Sequence, residues 1–339
     1  MLSLLASAAA LLACSSSPLS SAPPTIEPAK AAQSPPVAQQ PAGVVRPLGG
    51  QAAAATFDGG THQLAVLTPG ADPAAPAIIT AFGEPQAAPR VFTLPGPATA
   101  LTCDGHGTAY LATRGGYLVV DLSDGHPRFV SVAGAQQVDF TAIARRADGR
   151  LALGSADGAV YLLQAPDSTG AAAAVASRNK IFARVDSLVT QGNTTVVLDR
   201  GQTSVTSISA DGRAEQALRA GTGATTLAAD PLGVVLAADT RGGQLLVYGV
   251  DPLMLRQAYP VRQAPYGLAG SRALAWVSLT ASNMVVGYDL STGIPVEKVR
   301  YPTVQQPNTL AFDETSGTLY VVSGSGAGVQ VIEHAAGAP

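Results

Sequence analysis

From residue 44 onward the chain repeats itself about every 42 residues, and this periodicity constrains the fold more than any other feature. Each unit reads as an apolar strand, a turn with Asp or Gly, a second strand, a polar Gly-rich loop and a third strand. A fourth strand then leads into Pro or Gly before the next unit. Unit starts align as Pro97-Ala98-Thr99-Ala100-Leu101, Thr225-Thr226-Leu227-Ala228 and Pro307-Asn308-Thr309-Leu310-Ala311. Second strands begin near Leu64, Ala109, Leu151, Thr195, Val235, Leu274 and Leu319, at spacings of 39 to 45 residues. Third strands follow, among them Leu118-Val119-Val120, Val160-Tyr161-Leu162-Leu163 and Val329-Gln330-Val331-Ile332.

Short strands rich in Val, Leu and Tyr and punctuated by Asp-Gly turns are antiparallel meanders. Seven four-stranded units of this length predict an all-β chain folded as a seven-bladed β-propeller. The strands are apolar on both faces because each blade is packed between two others. An open stack would leave two apolar end faces in water, so the ring must close. The last unit stops after its third strand, Val329 to Ile332, while an orphan strand, Val44-Val45-Arg46-Pro47-Leu48, precedes the first unit. Residues 44–48 are therefore expected to complete the last blade. The propeller is expected to span residues 44–334, with 335–339 as a C-terminal tail.

Composition narrows the function classes. A formal net charge of −3 with 13% charged residues provides no basic stripe for nucleic-acid phosphates, so no nucleic-acid partner is expected. The low charge fraction, with 36 Gly and 25 Pro, also argues against long helical solenoids and coiled coils.

Ahead of the repeats, Leu2 to Ala13 is an apolar run ending in Leu11-Leu12-Ala13-Cys14. Twelve residues fall short of the roughly 20 that a membrane-spanning helix needs but suit the core of a secretory signal. The run resembles a bacterial lipoprotein signal, which implies cleavage after Ala13 and lipidation of Cys14. No Lys or Arg precedes it, a departure from that pattern that leaves an upstream start open. Two or three acyl chains would hold the protein on the membrane, where one gives only marginal binding. Ser15 to Gly43 is rich in Ser, Pro, Ala and Gln and is expected to be a disordered tether, because it has too little apolar surface to offset its ordering entropy. With Cys14 lipidated, Cys103 has no disulfide partner and is expected to be a small core residue.

The repeats resemble YVTN and quinoprotein-dehydrogenase-like propellers, most nearly in Thr318-Leu319-Tyr320-Val321-Val322 with Gly328-Val329-Gln330-Val331-Ile332. Lipoprotein signal, Pro/Ser-rich tether and propeller together resemble the LppL-like propeller lipoproteins of actinobacteria and mycobacteria. The resemblance implies an extracytoplasmic, membrane-anchored protein and carries no catalytic residues with it.

Propellers usually bind ligands on the face bearing the fourth-to-first and second-to-third strand loops, around the central channel. By loop position this face is expected to carry Arg114, Asp157, Arg200, Arg241 and Asn283, with Asp139, Arg184, Tyr266 and Asn308 between blades. Asp139, Arg184, Tyr266, Asn308, Arg114 and Arg241 make a candidate site for a small polar or anionic ligand, since Arg gives bidentate contacts. Solvated loop tips are the plainer alternative. His62, His106, His126 and His334 sort to the opposite face in different turns, and neither a metal site nor a cofactor is expected there. No Gly-x-Ser-x-Gly elbow is present, and Gly324-Ser325-Gly326-Ala327-Gly328 lacks the Lys of a phosphate loop. A single Trp, Trp276, and an aromatic content of 5% disfavour a quinone-cofactor or carbohydrate-stacking site.

The function expected from these features is a non-enzymatic binding or protein-interaction scaffold at the cell envelope, its partner an envelope protein or a small polar ligand. The alternative is a lactonase-like hydrolase at the channel mouth, since similar seven-bladed propellers include sugar-lactone hydrolases. It would need a base and an oxyanion-stabilising Arg, for which Asp139 and Arg184 are the candidates.

Overall fold

A computed structural model describes residues 24–84, 86–165 and 172–337 of the chain. The apolar N-terminal run and Cys14 lie outside the described residues. Seven sheets form a ring, each a meander whose first strand lines the central channel and whose fourth strand is outermost. Blades 1 to 6 span residues 54–93, 100–132, 140–180, 187–219, 224–260 and 265–302. Blade 7 takes three strands from residues 307–332 and its fourth from the N-terminal side. Blade 2 has a fifth strand, Ala172–Ala173, which runs parallel to Ser131 and Val132 before the chain returns to blade 3.

Closure occurs where the repeat arithmetic puts it. Val44–Arg46 pairs antiparallel with Val329–Ile332, Val44 opposite Val331 and Arg46 opposite Val329. Gly43 allows entry into this strand. Its φ is +70°, and a Cβ there would lie 2.1 Å from the carbonyl oxygen of Val331. Arg46 then clasps the seam with blade 1. Its guanidinium lies 4.9 Å from the centre of the Phe82 ring and donates to the carbonyls of Gly83 and Ala87 at 3.3 and 2.5 Å.

The core is divided among the interfaces between blades, which is why the strands are apolar on both faces. Leu67, Ile79, Leu111 and Leu118 pack between blades 1 and 2. Leu64, Phe82, Val322 and Val329 pack between blades 7 and 1. Trp276 is fully buried between blades 6 and 7 and stacks on Phe312 at 5.9 Å. Each such side chain contributes about 1.5–3 kcal/mol by leaving water. Second and third strands are buried along their length, as in Leu151–Ser155 and Ala159–Leu163. Fourth strands face solvent, and Val175–Lys180 alternates between half-buried and exposed.

Polar side chains at the channel end of the strands tie neighbouring blades together. Thr99 donates to Phe140 O at 2.7 Å, Thr141 to Val185 O at 2.6 Å, and Ser278 to Pro307 O. In blades 4 and 5 a buried carboxylate performs this task. Asp199 accepts the N–H groups of Ala183, Arg184 and Gln202 at 2.6, 3.3 and 2.9 Å. Asp239 accepts those of Thr222, Gly223 and Gly242 at 3.0, 2.8 and 2.9 Å.

The described residues flanking the ring on either side differ from expectation. Residues 24–43 form no regular strand or helix, yet they lie along the propeller rather than apart from it. Ala29 and Ser34 are buried, and Ile26 N–H donates to Gly201 O at 2.8 Å. The segment buries little apolar area and is held instead through its backbone polar groups. At the other end Ala335, the first residue of the expected tail, is fully buried and donates to Gly317 O at 2.9 Å.

Candidate binding face at the channel mouth

The first strands enclose a cavity of about 740 Å³. Its wall is built mainly from Ala, Thr and Leu, with small residues the most frequent where seven strands converge. Polar groups gather at its ends. Asp186, Arg200, Tyr266 and Asn308 line the mouth, and Arg145 lies towards the opposite end. The mouth is bounded by the inter-blade loops and the second-to-third strand turns, the two loop classes that carry the candidate residues.

The structure pairs these residues differently from the arrangement proposed for a hydrolase. Asp139 and Arg184 belong to separate clusters. Asp139 forms an isolated bridge with Arg114 and an ion pair at 3.5 Å, both side chains about 60% exposed. Such an exposed pair contributes roughly 0–1 kcal/mol. Arg114 also donates to Gln137 Oε1 at 2.9 Å. Arg184 instead donates through Nε to Asp186 Oδ1 at 3.2 Å. Asp186 Oδ2 accepts the N–H of Arg200 at 3.1 Å. Burial holds the Asp186 carboxyl above the usual carboxylate range, against the opposing pull of the Arg200 N–H and the Arg200 and Arg184 charges. Asp186 is a mouth residue that loop position did not single out. It was legible only as the second of two charged residues in Arg184-Val185-Asp186.

Tyr266 and Asn308 both reach the cavity wall. The Tyr266 carbonyl accepts from the Thr226 hydroxyl, and Asn308 Oδ1 accepts from Gln306 Nε2 at 2.9 Å. Asp157 is held by Lys180 Nζ at 2.8 Å and by the Ser155 hydroxyl at 2.6 Å. Arg200, Arg241 and Asn283 share another kind of partner, the backbone of residues 24–43. Arg241 Nη2 donates to Glu27 O at 2.7 Å, Arg200 Nη2 to Ala29 O, and Asn283 Nδ2 to Pro35 O at 2.8 Å. Gln305 and Gln306, immediately before the first strand of blade 7, add further donors to the same segment. Sequence reasoning missed this pair, although its place in an inter-blade loop beside Pro307 was visible.

The opposite face carries a second concavity, of about 580 Å³, at the seam of blades 7 and 1. His62 and His334 line it with Asp313, Tyr320 and Glu333. His62 Nδ1 lies 4.0 Å from Asp313 Oδ2. His106 and His126 sit in turns whose N–H groups donate to Asp104 and Asp124. Among the described residues no three His, Cys, Asp or Glu side chains converge as a metal site would require. Cys103 packs half-buried against the core of blades 1 and 2. Burial pushes its thiol far above the ordinary range, and the Asp58 and Asp104 carboxylates add to the effect. A thiol so protonated is a poor nucleophile.

Seven four-stranded blades in a ring closed by an N-terminal strand define a seven-bladed β-propeller. No protein-family model matches the chain, and no curated protein matches it in sequence. Solved structures with a similar fold include a streptogramin B lyase, with a TM-score of 0.67 at 11% identity over 86% of this chain and 96% of that one. A chain of a mitotic checkpoint complex is similar with a TM-score of 0.72 at 10% identity, over 90% of this chain and 96% of that one. At these identities the likeness is one of fold.

Proposed function

We propose that this chain is an exported β-propeller lipoprotein, anchored through Cys14 to the outer side of the cytoplasmic membrane, and that its channel-mouth face is a non-catalytic binding surface. The observation that carries the binding role is the set of side-chain donors around the mouth, which already engages a polypeptide through its carbonyl groups. The anchor reading is supported by Leu11-Leu12-Ala13-Cys14. It has a geometric consequence. Pro24 lies ten residues beyond Cys14, and ten residues reach at most about 36 Å. An anchored protein would therefore hold the mouth face near the bilayer and present the blade 7–blade 1 concavity outward.

Two measurements test the proposal. Labelling with an alkyne fatty acid, followed by membrane fractionation, compares wild type with Cys14→Ser. Label and membrane association should both be lost in the variant, and an unlabelled wild-type protein would overturn the anchor. Separately, envelope components captured by wild type are compared with those captured by Arg114→Ala/Arg184→Ala. Selective loss in the variant supports binding at the mouth, and identical capture places binding elsewhere.

A further inference from the structure

Residues 25–37 rest on the rim of the mouth as a ligand would. They cross turns of blades 4, 5 and 6 and the loop into blade 7, contacting Gly201, Arg241, Asn283 and Gln306. The contacts are almost all to backbone. Five carbonyls of the segment, those of Glu27, Ala29, Ala32, Ser34 and Pro35, accept from side chains of the propeller. Their donors are two guanidinium groups and three carboxamides, which serve any peptide carbonyl equally well.

Only two side chains of the segment are seated. Ala29 lies against Gly223, where a Cβ would come within 3.0 Å of the Ala29 methyl. Ser34 is buried, donates to Thr280 O at 2.6 Å, and exchanges further bonds with Gln306. Glu27 and Lys30 point into solvent, about 80% exposed. The face therefore reads an extended backbone with a small residue at two places, and little else.

An extended chain with prolines suits such a face. Pro28, Pro35 and Pro36 have no N–H, so the segment cannot pair as a strand, and its carbonyls must find donors outside itself. Proline also limits the unfolded conformations, which lowers the ordering cost of lying along the rim. Recognition of extended, proline-rich segments, whose backbone conformation is already formed before binding, is a recurring mode of peptide binding.

We infer that the mouth rim is a binding groove for extended proline-rich polypeptide, occupied in cis by residues 25–37, and that a partner supplying such a segment competes for it. The inference deepens the binding role proposed above and does not depend on the anchor. Because the cis segment is tethered, its effective concentration is in the millimolar range, so a trans segment gains the groove only in excess or after release.

The test uses the full chain, wild type and Ala29→Gln/Ser34→Gln, with a fluorescent peptide of residues 24–37 as the probe. Trypsin cleavage after the exposed Lys30 reports whether the cis segment is seated, and peptide anisotropy reports whether the groove is open. The double variant should be cut at Lys30 at least tenfold faster than wild type and should bind the peptide at least tenfold more tightly. Adding Asn283→Ala and Gln306→Ala to the double variant should abolish that binding. Equal cleavage in wild type and double variant, or a released variant that ignores the peptide, overturns the inference. If the released variant ignores the peptide while the mouth-dependent capture of envelope components persists, the peptide groove fails and the binding role stands. Should both fail, both fall.

Discussion

Asp230 makes the stability of this ring depend on pH in a direction opposite to most carboxylates. It follows the first strand of blade 5, Ala224–Ala229, and is 2% exposed. One hydrogen bond, from Leu232 N–H at 2.8 Å, supports its charge. Burial outweighs that bond and, with the Glu314 charge adding to it, pushes the Asp230 carboxyl up to about 6. An unfolded Asp titrates at about 3.9, so the native state binds the proton more tightly. The group's contribution is fully present below about pH 4 and is lost as pH rises through about 6. Ionising a carboxyl held at about 6 rather than about 3.9 costs the native state about 3 kcal/mol at pH 7, an upper bound that partial solvation lowers towards 1. Asp230→Asn keeps an acceptor for Leu232 and never ionises. The variant should therefore be about 1–3 kcal/mol more stable than wild type at pH 7.5, with the advantage shrinking between pH 6 and pH 4 and vanishing below. Trp276, the single tryptophan and fully buried, gives the signal for thermal unfolding across that pH series. A difference of about 2–4 °C per kcal/mol is the scale for domains of 150–250 residues, and a somewhat smaller one applies here. A stability gain that does not change with pH would refute the reasoning, as would a loss at every pH.

Two further outcomes follow from the ring's fastenings. Deleting residues 44–48 leaves the edge Val329–Ile332 unpaired, so the melting temperature should fall and aggregation should rise in light scattering; an unchanged melting temperature would mean that closure does not rest on this strand. Asp199→Ala strands three backbone N–H donors in a buried site and should cost about 2–4 kcal/mol in denaturant unfolding, with Asp199→Asn milder; a loss below about 1 kcal/mol would show that water replaces the carboxylate.

The ring was legible because a propeller writes its architecture into spacing. Each blade must supply a second and a third strand buried on both sides, so Leu151–Ser155 and Val234–Asp239 had to be apolar and had to recur. The orphan strand at Val44 was legible for the same reason, as the piece that the last unit lacked. Residues 24–43 carry no such imprint. A segment bound through carbonyls leaves its side chains nearly free to vary, so its sequence has the composition of a tether while its backbone makes the contacts. Gly43 is constrained by the entry to the closing strand, the buried residues are Ala29 and Ser34, and small residues are too common there to signal a seat.

The pairing at the mouth departs from the sequence expectation for a geometric reason that bears on any chemistry sought there. Asp139 and Arg184 lie in inter-blade loops of neighbouring blades, and a whole blade separates two such loops. The close neighbours of an inter-blade loop are the second-to-third turns that flank it. Arg114 from such a turn meets Asp139, Thr113 meets the carbonyl of Pro97, and Asp199 meets the N–H groups of Ala183 and Arg184. Reactive or binding pairs in this ring are therefore formed between a turn and an adjacent loop. By that rule the Arg184–Asp186–Arg200 cluster is, among the described residues, where a largely buried carboxylate at the mouth meets two guanidinium-bearing residues from both loop classes. Arg200 extends from the same cluster to the carbonyl of Ala29. The Asp186 cluster and the seat of the bound segment thus share Arg200, and displacing that segment would remove the Ala29 carbonyl from its guanidinium.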